Sequence, residues 1–431
     1  MKIQMENTLQ KSNKIHCIGI NGSGLSALAG ILSKTGKQIT GSDSSGIAHN
    51  EANIEAELDM IIYSTAIPKD NVEIQAAKKL NIPLYSYPEA LGLLTELYTT
   101  IAICGTHGKT TTTAMIATIL KDLIDPTIIV GAGVHELGDK NYYSGKSKYL
   151  IIEACEYQRH FLNYHPDIIT ITNIEIDHLD YFEDKNDYKS AFESFIAGLP
   201  ENSKIIANYD DQTTRNVCEN ISHLNNRPKV IFFGSDNPYF NKLNLSIPGK
   251  HNIYNAIAAL ETAQQITEIN IDESIKKLNK FMGAGRRFET FKRADGITII
   301  DDYAHHPTAI KATLKAAREK FGPNAKILCV FQPHQYSRTI KLFKDFANSF
   351  SMANEVIIPN IYQVRDNPQD ISNMSPEKLV NEISKHHKKA TYGFSPEKTL
   401  YDIKNRINDF DVIIVMGAGD ITKIAQSLKE N

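Results

Sequence analysis

Three times along the chain a short apolar run feeds straight into a helical pattern, and this repeat limits the possible folds more than any other feature. The first run is Ile15–Ile20, followed by a turn and a helix from about Ser23 to Thr35. The second is Ile101–Cys104, followed by Gly105–Thr110 and a helix through Lys121. The third is Ile297–Ile300, followed by Asp301–Pro307 and a helix from about Thr308 to Phe321. Strands alternating with helices predict parallel sheets covered on both faces. Further strands fit the same scheme at Ile39–Gly41, Met60–Tyr63, Tyr149–Ile152, Ile168–Thr172, Lys204–Ala207, Val230–Phe233, Ile327–Phe331, Glu355–Ile358 and Val412–Met416. A chain of 431 residues exceeds what one hydrophobic core organises. The pattern therefore predicts an α/β protein of three domains, residues 1–98, 99–291 and 292–431.

Charge and cysteine usage exclude several classes. The net charge is −3, from 47 basic and 50 acidic residues, with no basic block of the kind that binds nucleic acid. No apolar run reaches the roughly 20 residues that span a membrane. The opening stretch MKIQMENTLQKSNK lacks the apolar segment of a signal peptide, so a cytoplasmic protein is expected. The five cysteines are odd in number and form no CxxC pair, which predicts reduced thiols. Cys17, Cys104 and Cys329 lie in apolar runs and are expected in the core.

Gly105-Thr106-His107-Gly108-Lys109-Thr110, with Thr111 next, stands between a strand and a helix. A phosphate cradle belongs there: glycines let backbone N–H groups approach, and the helix N-terminus adds positive potential. Lys109 can neutralise charge on a transferred phosphoryl group, and Thr110 can offer its hydroxyl to Mg²⁺. Ile103 stands where the longer Walker pattern has its first glycine, so this is a shorter GxxGKT form. Acidic groups for the metal should end the neighbouring strands. Glu153 follows one strand directly and should project near Lys109, while Asp177 and His178 follow the next. In the first unit Gly19-Ile20-Asn21-Gly22-Ser23-Gly24 opens a helix and Asp43 follows the second strand, as in a dinucleotide fingerprint. Asn21 replaces its second glycine, and asparagine tolerates the positive φ that such a turn can need. These loops predict a Rossmann-like first domain, a central parallel sheet of the P-loop ATPase kind and a Rossmann-like last domain.

GTHGKTTTT, EACEYQRHF, TNIEIDHLDYF, GKHNIYNAIAA, GAGRRFE, DDYAHHP and FQPHQYSR occur in the order found in the Mur ligases, and the chain resembles that family from Ile15 to Gly419. The resemblance implies ATP-dependent ligation of L-alanine to the lactyl carboxylate of UDP-N-acetylmuramate through an acyl phosphate. It implies ATP and two Mg²⁺ ions, with Mn²⁺ able to substitute, and a monomer or weak dimer. Lys109, His178 and Arg287 would be catalytic, and Thr110, Glu153 and His178 would be metal ligands. ATP would meet Gly105, Thr106, His107, Gly108, Lys109, Thr110, Thr111, Asn252, Asn255, Arg287 and Asp302. For Asn252, a helix N-cap is the structural alternative. UDP would meet Gly22, Ser23, Gly24, Asp43, Ser64 and Thr65. The amino acid would lie near His306, His334, Tyr336 and Arg338, with Arg338 on its carboxylate; capping or core roles are the alternative for each histidine. Gln335 stands where relatives often have arginine, and no lysine falls within residues 190–194, so no carbamoylated lysine is expected; Lys189 is out of place for it. Rival readings are a ligase attaching a tripeptide to the same sugar nucleotide, a nicotinamide-dependent oxidoreductase using the first domain, and a non-catalytic nucleotide-binding regulator.

Overall fold

The computed structural model describes residues 7–221 and 228–429, so the first six residues of the polar opening stretch lie outside it. Three sheets are present among the described residues. The first has the order β2-β1-β3-β4, from β1 (Lys14–Ile18), β2 (Gln38–Ser42), β3 (Met60–Tyr63) and β4 (Leu84–Ser86). The second has the order β11-β10-β9-β5-β8-β6-β7. Its strands are β5 (Thr99–Cys104), β6 (Thr127–Val134), β7 (Lys140–Tyr143), β8 (Tyr149–Glu153), β9 (Ile168–Ile171), β10 (Lys204–Asn208) and β11 (Lys229–Phe233). The third has the order β12-β13-β17-β14-β15-β16. It is built from β12 (Glu289–Lys292), β13 (Thr298–Asp302), β14 (Ile327–Phe331), β15 (Glu355–Ile358), β16 (Ala390–Tyr392) and β17 (Val412–Met416).

The sheets are parallel except at two edges, where β7 runs antiparallel to β6 and β12 antiparallel to β13. The strands absent from the sequence reading are β4, β6, β7, β12 and β16. Four of them are short edge strands whose residues mix polar and apolar types, so no apolar run marks them, and β6 is interrupted by Gly131 and Gly133. The expected boundary at 291 falls inside β12, whose ladder partner is β13.

Central strands read as continuous apolar runs because both faces are covered. In the third sheet Ile300, Cys329, Phe331 and Ile414 pack into one core, while their neighbours Ile299, Leu328, Val330 and Ile413 pack into the other. Cys17, Cys104 and Cys329 are fully buried free thiols, as small core residues should be.

The chain forms two compact bodies. One comprises residues up to Glu175 with Asn186–Leu243 and Tyr254–Leu278, and carries the first two sheets. The other comprises Ile176–Lys185, Asn244–Ile253 and everything from Asn279, and carries the third. Within the first body, the helix Tyr87–Thr95 lies against the short helical segment Tyr157–Asn163, and Gly92 is the point of closest approach. A Cβ on Gly92 would meet the carbonyl oxygen of Asn163 at 2.3 Å. Gly92→Ala should therefore lower stability by about 1–3 kcal/mol, read as a fall in Tm; an unchanged melting curve would contradict this packing.

Candidate functional site

The site is assembled from strand ends. β5 lies between β8 and β9, and its successor β6 lies on the β8 side, so the direction of winding changes beside β5. Ligands of open α/β sheets bind at such switch points, outside the carboxyl ends of the strands. The loop Gly105–Gly108 occupies that position and leads into the helix Lys109–Ile124. Gly105 has φ +124° and Gly108 has φ +82°, conformations that favour glycine. Both glycines also lack room for a side chain: a Cβ on Gly105 would lie 2.2 Å from Thr172 Oγ1, and one on Gly108 would lie 2.4 Å from Asn255 Oδ1. The loop is pinned from β9. The Asn173 carbonyl accepts from Thr106 N at 3.0 Å, Asn173 Oδ1 accepts from His107 N at 3.0 Å, and Thr172 Oγ1 donates to the His107 carbonyl at 2.6 Å.

Lys109 curls back over this loop. Its ammonium donates to the carbonyls of Gly105 and Thr106 at 2.5 and 3.0 Å and pairs with Glu156 at 2.9 Å. Burial alone would lower its pKa, but Glu156, helped by Cys155 and Glu153, outweighs burial and raises it, so the ammonium stays charged. The sequence reading put Glu153 near Lys109, and its carboxylate does act on the ammonium, although Glu156 is the residue that pairs with it. Glu153, the last residue of β8, accepts from Thr110 Oγ1 at 2.9 Å and from Gly131 N at 2.8 Å. Glu156 takes the lysine, and Tyr188 Oη holds Glu156 at 3.0 Å and touches Thr106 Oγ1 at 2.8 Å. Glu156 and Tyr188 are the residues that sequence reasoning missed; the second carboxylate of EACE was the available signal. His107 Nε2 lies 2.9 Å from a carboxylate oxygen of Glu175. Thr111 is buried in the first turn of the helix.

In the first sheet Gly19, not Asn21, carries the positive φ, at +83°, and ends β1 two residues earlier than expected. Asn21 spans the loops instead: its backbone N–H donates to Asp43 at 3.1 Å and its side chain to the Ser45 carbonyl at 2.9 Å. Gly22 caps the helix Ser23–Lys34, and Gly24 meets the ring of Tyr87. Ser64 Oγ accepts from Ala66 N at 3.3 Å in the turn after β3, with Thr65 exposed between them.

The second body holds the remaining residues. Asp177 does not stand free as a metal ligand: it accepts from Arg338 Nη2 at 2.9 Å and lies 3.7 Å from His305 Nε2. Burial alone would raise its pKa, but Arg338, then His305, hold the carboxyl well below the usual range. His178 follows it with φ +52°. Arg338 also approaches His334 Nδ1 at 3.3 Å, and its Nε is buried without a hydrogen-bond partner among the described residues. His334 stacks on Tyr362, with ring centroids 5.4 Å apart. Burial, then the nearby His305 and Arg338, push its pKa down to about 3. Gln335 is buried with φ +73° and donates to the Val364 carbonyl, so it serves the turn. Tyr336 begins the next helix, half-buried, and burial raises its hydroxyl pKa. His306 caps the helix Pro307–Phe321, which is the capping alternative. Asp302 accepts from Phe288 N at 2.8 Å and Ala304 N at 2.7 Å, and burial raises its pKa against Arg287.

The adjacent arginines divide their work. Arg286 donates to the carbonyls of Gly417 and Gly419, at 2.5 and 3.3 Å, closing the end of β17. Arg287 lies over the Tyr303 ring at 4.8 Å. Asn252 is inside the helix Lys250–Gln264, not its cap, and donates to the Pro248 carbonyl at 2.7 Å. Lys189 pairs with Glu193 at 3.0 Å on the helix Lys185–Ala197.

The glycine-lined loop, its buried lysine and the adjoining hydroxyl–carboxylate pair define a nucleotide-phosphate-binding α/β protein. Residues 14–99 match the Mur ligase family catalytic domain, 103–263 the Mur ligase middle domain, and 286–419 the Mur ligase glutamate ligase domain. UDP-N-acetylmuramate–L-alanine ligases from Clostridium acetobutylicum and Clostridium novyi are 41% and 38% identical to this chain, covering 99% and 98% of it and 99% of each relative. The crystal structure of the UDP-N-acetylmuramate–alanine ligase of Thermotoga maritima matches with a TM-score of 0.78 at 26% identity, covering 97% of this chain and 98% of that one. A murein peptide ligase from Psychrobacter arcticus shares the fold, with a TM-score of 0.69 at 22% identity and coverage of 96% and 98%. This chain belongs to the Mur ligase family.

Two outcomes follow from the geometry. Glu156→Leu strands a buried ammonium and should cost about 3 kcal/mol in denaturant unfolding; a loss under about 1 kcal/mol would mean the pair is only superficial. For His334, the folded pKa near 3 lies below the ordinary 6.5. The unfolded chain therefore binds the extra proton first, and stability falls as pH drops from about 6.5 toward 3. His334→Asn should flatten the acid limb of Tm against pH over that window, and parallel curves would refute a buried neutral imidazole.

Proposed function

We propose that this chain joins L-alanine to the lactyl carboxylate of UDP-N-acetylmuramate, converting ATP to ADP and phosphate, in the synthesis of peptidoglycan precursors. The observation that carries this reading is the Lys109, Thr110 and Glu153 set at the ends of β5 and β8, in a chain 41% identical along its length to a ligase of that name. The γ-phosphoryl group passes to a lactyl oxygen, and the bridging oxygen leaves with ADP. The amine of alanine, having lost a proton, attacks the acyl carbon. The tetrahedral intermediate collapses to the amide as the C–O bond to phosphate breaks.

The chain contributes position and charge. The loop Gly105–Lys109 and the Lys109 ammonium would hold the phosphates, with the Thr106 and His107 N–H groups bonded to Asn173 bracing the loop, and Arg287 would meet the γ-phosphate. Thr110 and Glu153 are oxygen donors within 3.1 Å of each other, which suits Mg²⁺. They would hold one Mg²⁺, and on this reading His178 would serve a second; the metal would draw charge from the phosphoryl oxygens. Asn252 and Asn255 would meet adenine and Asp302 the ribose or phosphates. Gly22, Ser23, Gly24, Asp43, Ser64 and Thr65 would line the UDP pocket. His306, His334, Tyr336 and Arg338 would receive alanine. Two features support this last assignment: among the described residues Arg338 Nε is buried without a hydrogen-bond partner, ready for a carboxylate, and His334 is neutral and does not repel the ammonium. We place the enzyme in the cytoplasm as a monomer or weak dimer, with domains divided near 98 and 291. Among the described residues no helix is long and apolar enough to cross a membrane.

The test is phosphate release from ATP with UDP-N-acetylmuramate and, in turn, L-alanine, glycine, L-serine and L-Ala-γ-D-Glu-diaminopimelate. L-alanine should give the highest kcat/KM, and Lys109→Ala should reduce it by about 100-fold or more in a folded protein. A preference for the tripeptide would move the chain to the recycling reaction, and silence with every acceptor would end the proposal.

A further inference from the structure

One buried carboxylate takes no part in the chemistry above. Glu73 lies in the first turn of the helix Val72–Lys79, with its side chain fully shielded. Asn71 caps that helix, and the N-terminal end of the helix favours the negative charge. Four groups from the two ends of one loop converge on its oxygens. Ser42 Oγ, at the end of β2, donates at 2.6 Å. From the far end of the loop, Asn53 Nδ2 lies at 2.7 Å, His49 Nδ1 at 2.8 Å and Asn50 N at 3.4 Å. His16 on β1 approaches within 3.6 Å, its other ring nitrogen bonded to Thr40. Burial alone would raise the pKa of Glu73; Ser42, Asn53 and His49 outweigh it and lower it. A buried charge so fully bonded is costly to form and specifies one geometry.

That geometry concerns residues 43–48, which hang between the two anchored ends. They begin with Asp43, whose carboxylate meets the backbone of Asn21 in the phosphate-facing turn and of Ser45 within the loop itself. We propose that Glu73 is a positioning residue for the sugar nucleotide, closing this loop so that Asp43 and the Asn21 turn face a uridine diphosphate in one fixed arrangement. The inference rests on the assignment of the first sheet to UDP binding. Asn53 Nδ2 and Asn50 N can only donate, and Ser42 Oγ donates here, so an amide in place of the carboxylate forces Ser42 or His49 to reverse its hydrogen bond or sets N–H against N–H.

The experiment compares parent, Glu73→Gln and Asn53→Ala full-length chains by steady-state kinetics, with UDP binding by calorimetry beside them. The expected result for Glu73→Gln is a KM for UDP-N-acetylmuramate raised about tenfold, with kcat and the KM values for ATP and L-alanine within about twofold of the parent. UDP affinity should fall in parallel, and Glu73→Asp should recover part of it. A purely structural role would lower Tm and the active fraction while leaving those constants alone, and that result overturns the proposal. Should Glu73→Gln fail to fold, Asn53→Ala decides by the same comparison. A parent chain that ignores UDP-N-acetylmuramate would instead refute the functional reading on which this inference stands.

Discussion

Everything at the nucleotide end depends on a backbone that cannot relax. The loop Gly105–Gly108 turns through two left-handed residues, and its amides and carbonyls are fixed by Thr172 and Asn173 from the next strand end. A loop so restrained keeps one conformation, the kind of preorganisation on which electrostatic stabilisation depends. Lys109 is stored in the same place. It is held charged by Glu156 and shares the loop carbonyls, so the cation is fixed against the turn of the loop.

Much of this was legible because it is local. Glycine at a positive φ, a lysine at a helix start and acids at strand ends are written within a few residues, and Ile101–Thr113 declares strand, loop and helix in one stretch. Strands buried on both faces were legible for a similar reason: Ile327–Phe331 and Val412–Met416 are unbroken apolar runs. The edge strands β4, β7, β12 and β16 were not, since short mixed runs such as Leu84–Ser86 or Ala390–Tyr392 acquire their form from the neighbour they pair with.

Partnerships over long separations were also hidden. Nothing near Asp177 announces Arg338, 161 residues away, and the DH pair reads more naturally as metal chemistry. Glu153 and Glu156 are indistinguishable by type, and only the direction of the chain after β8 sends one to Thr110 and the other to Lys109. Asn21 was expected to absorb strain that Gly19 in fact absorbs, because the turn begins two residues sooner. Glu73 belongs to no motif at all, and its role exists only once Ser42 and Asn53 have been folded onto it.

The way the chain is shared between its two bodies bears on how it can be dissected. The body containing the third sheet borrows Ile176–Lys185 from the middle of the sequence, and with it the sole carboxylate that Arg338 pairs with among the described residues. A recombinant fragment starting at Asn279 would inherit the guanidinium but forfeit its counter-charge, a defect of about 3–5 kcal/mol for a buried ion. Gene truncation at that point would thus yield a weakened or insoluble product even though the whole sheet is encoded, and a grafted peptide spanning Asp177 would be the natural complement.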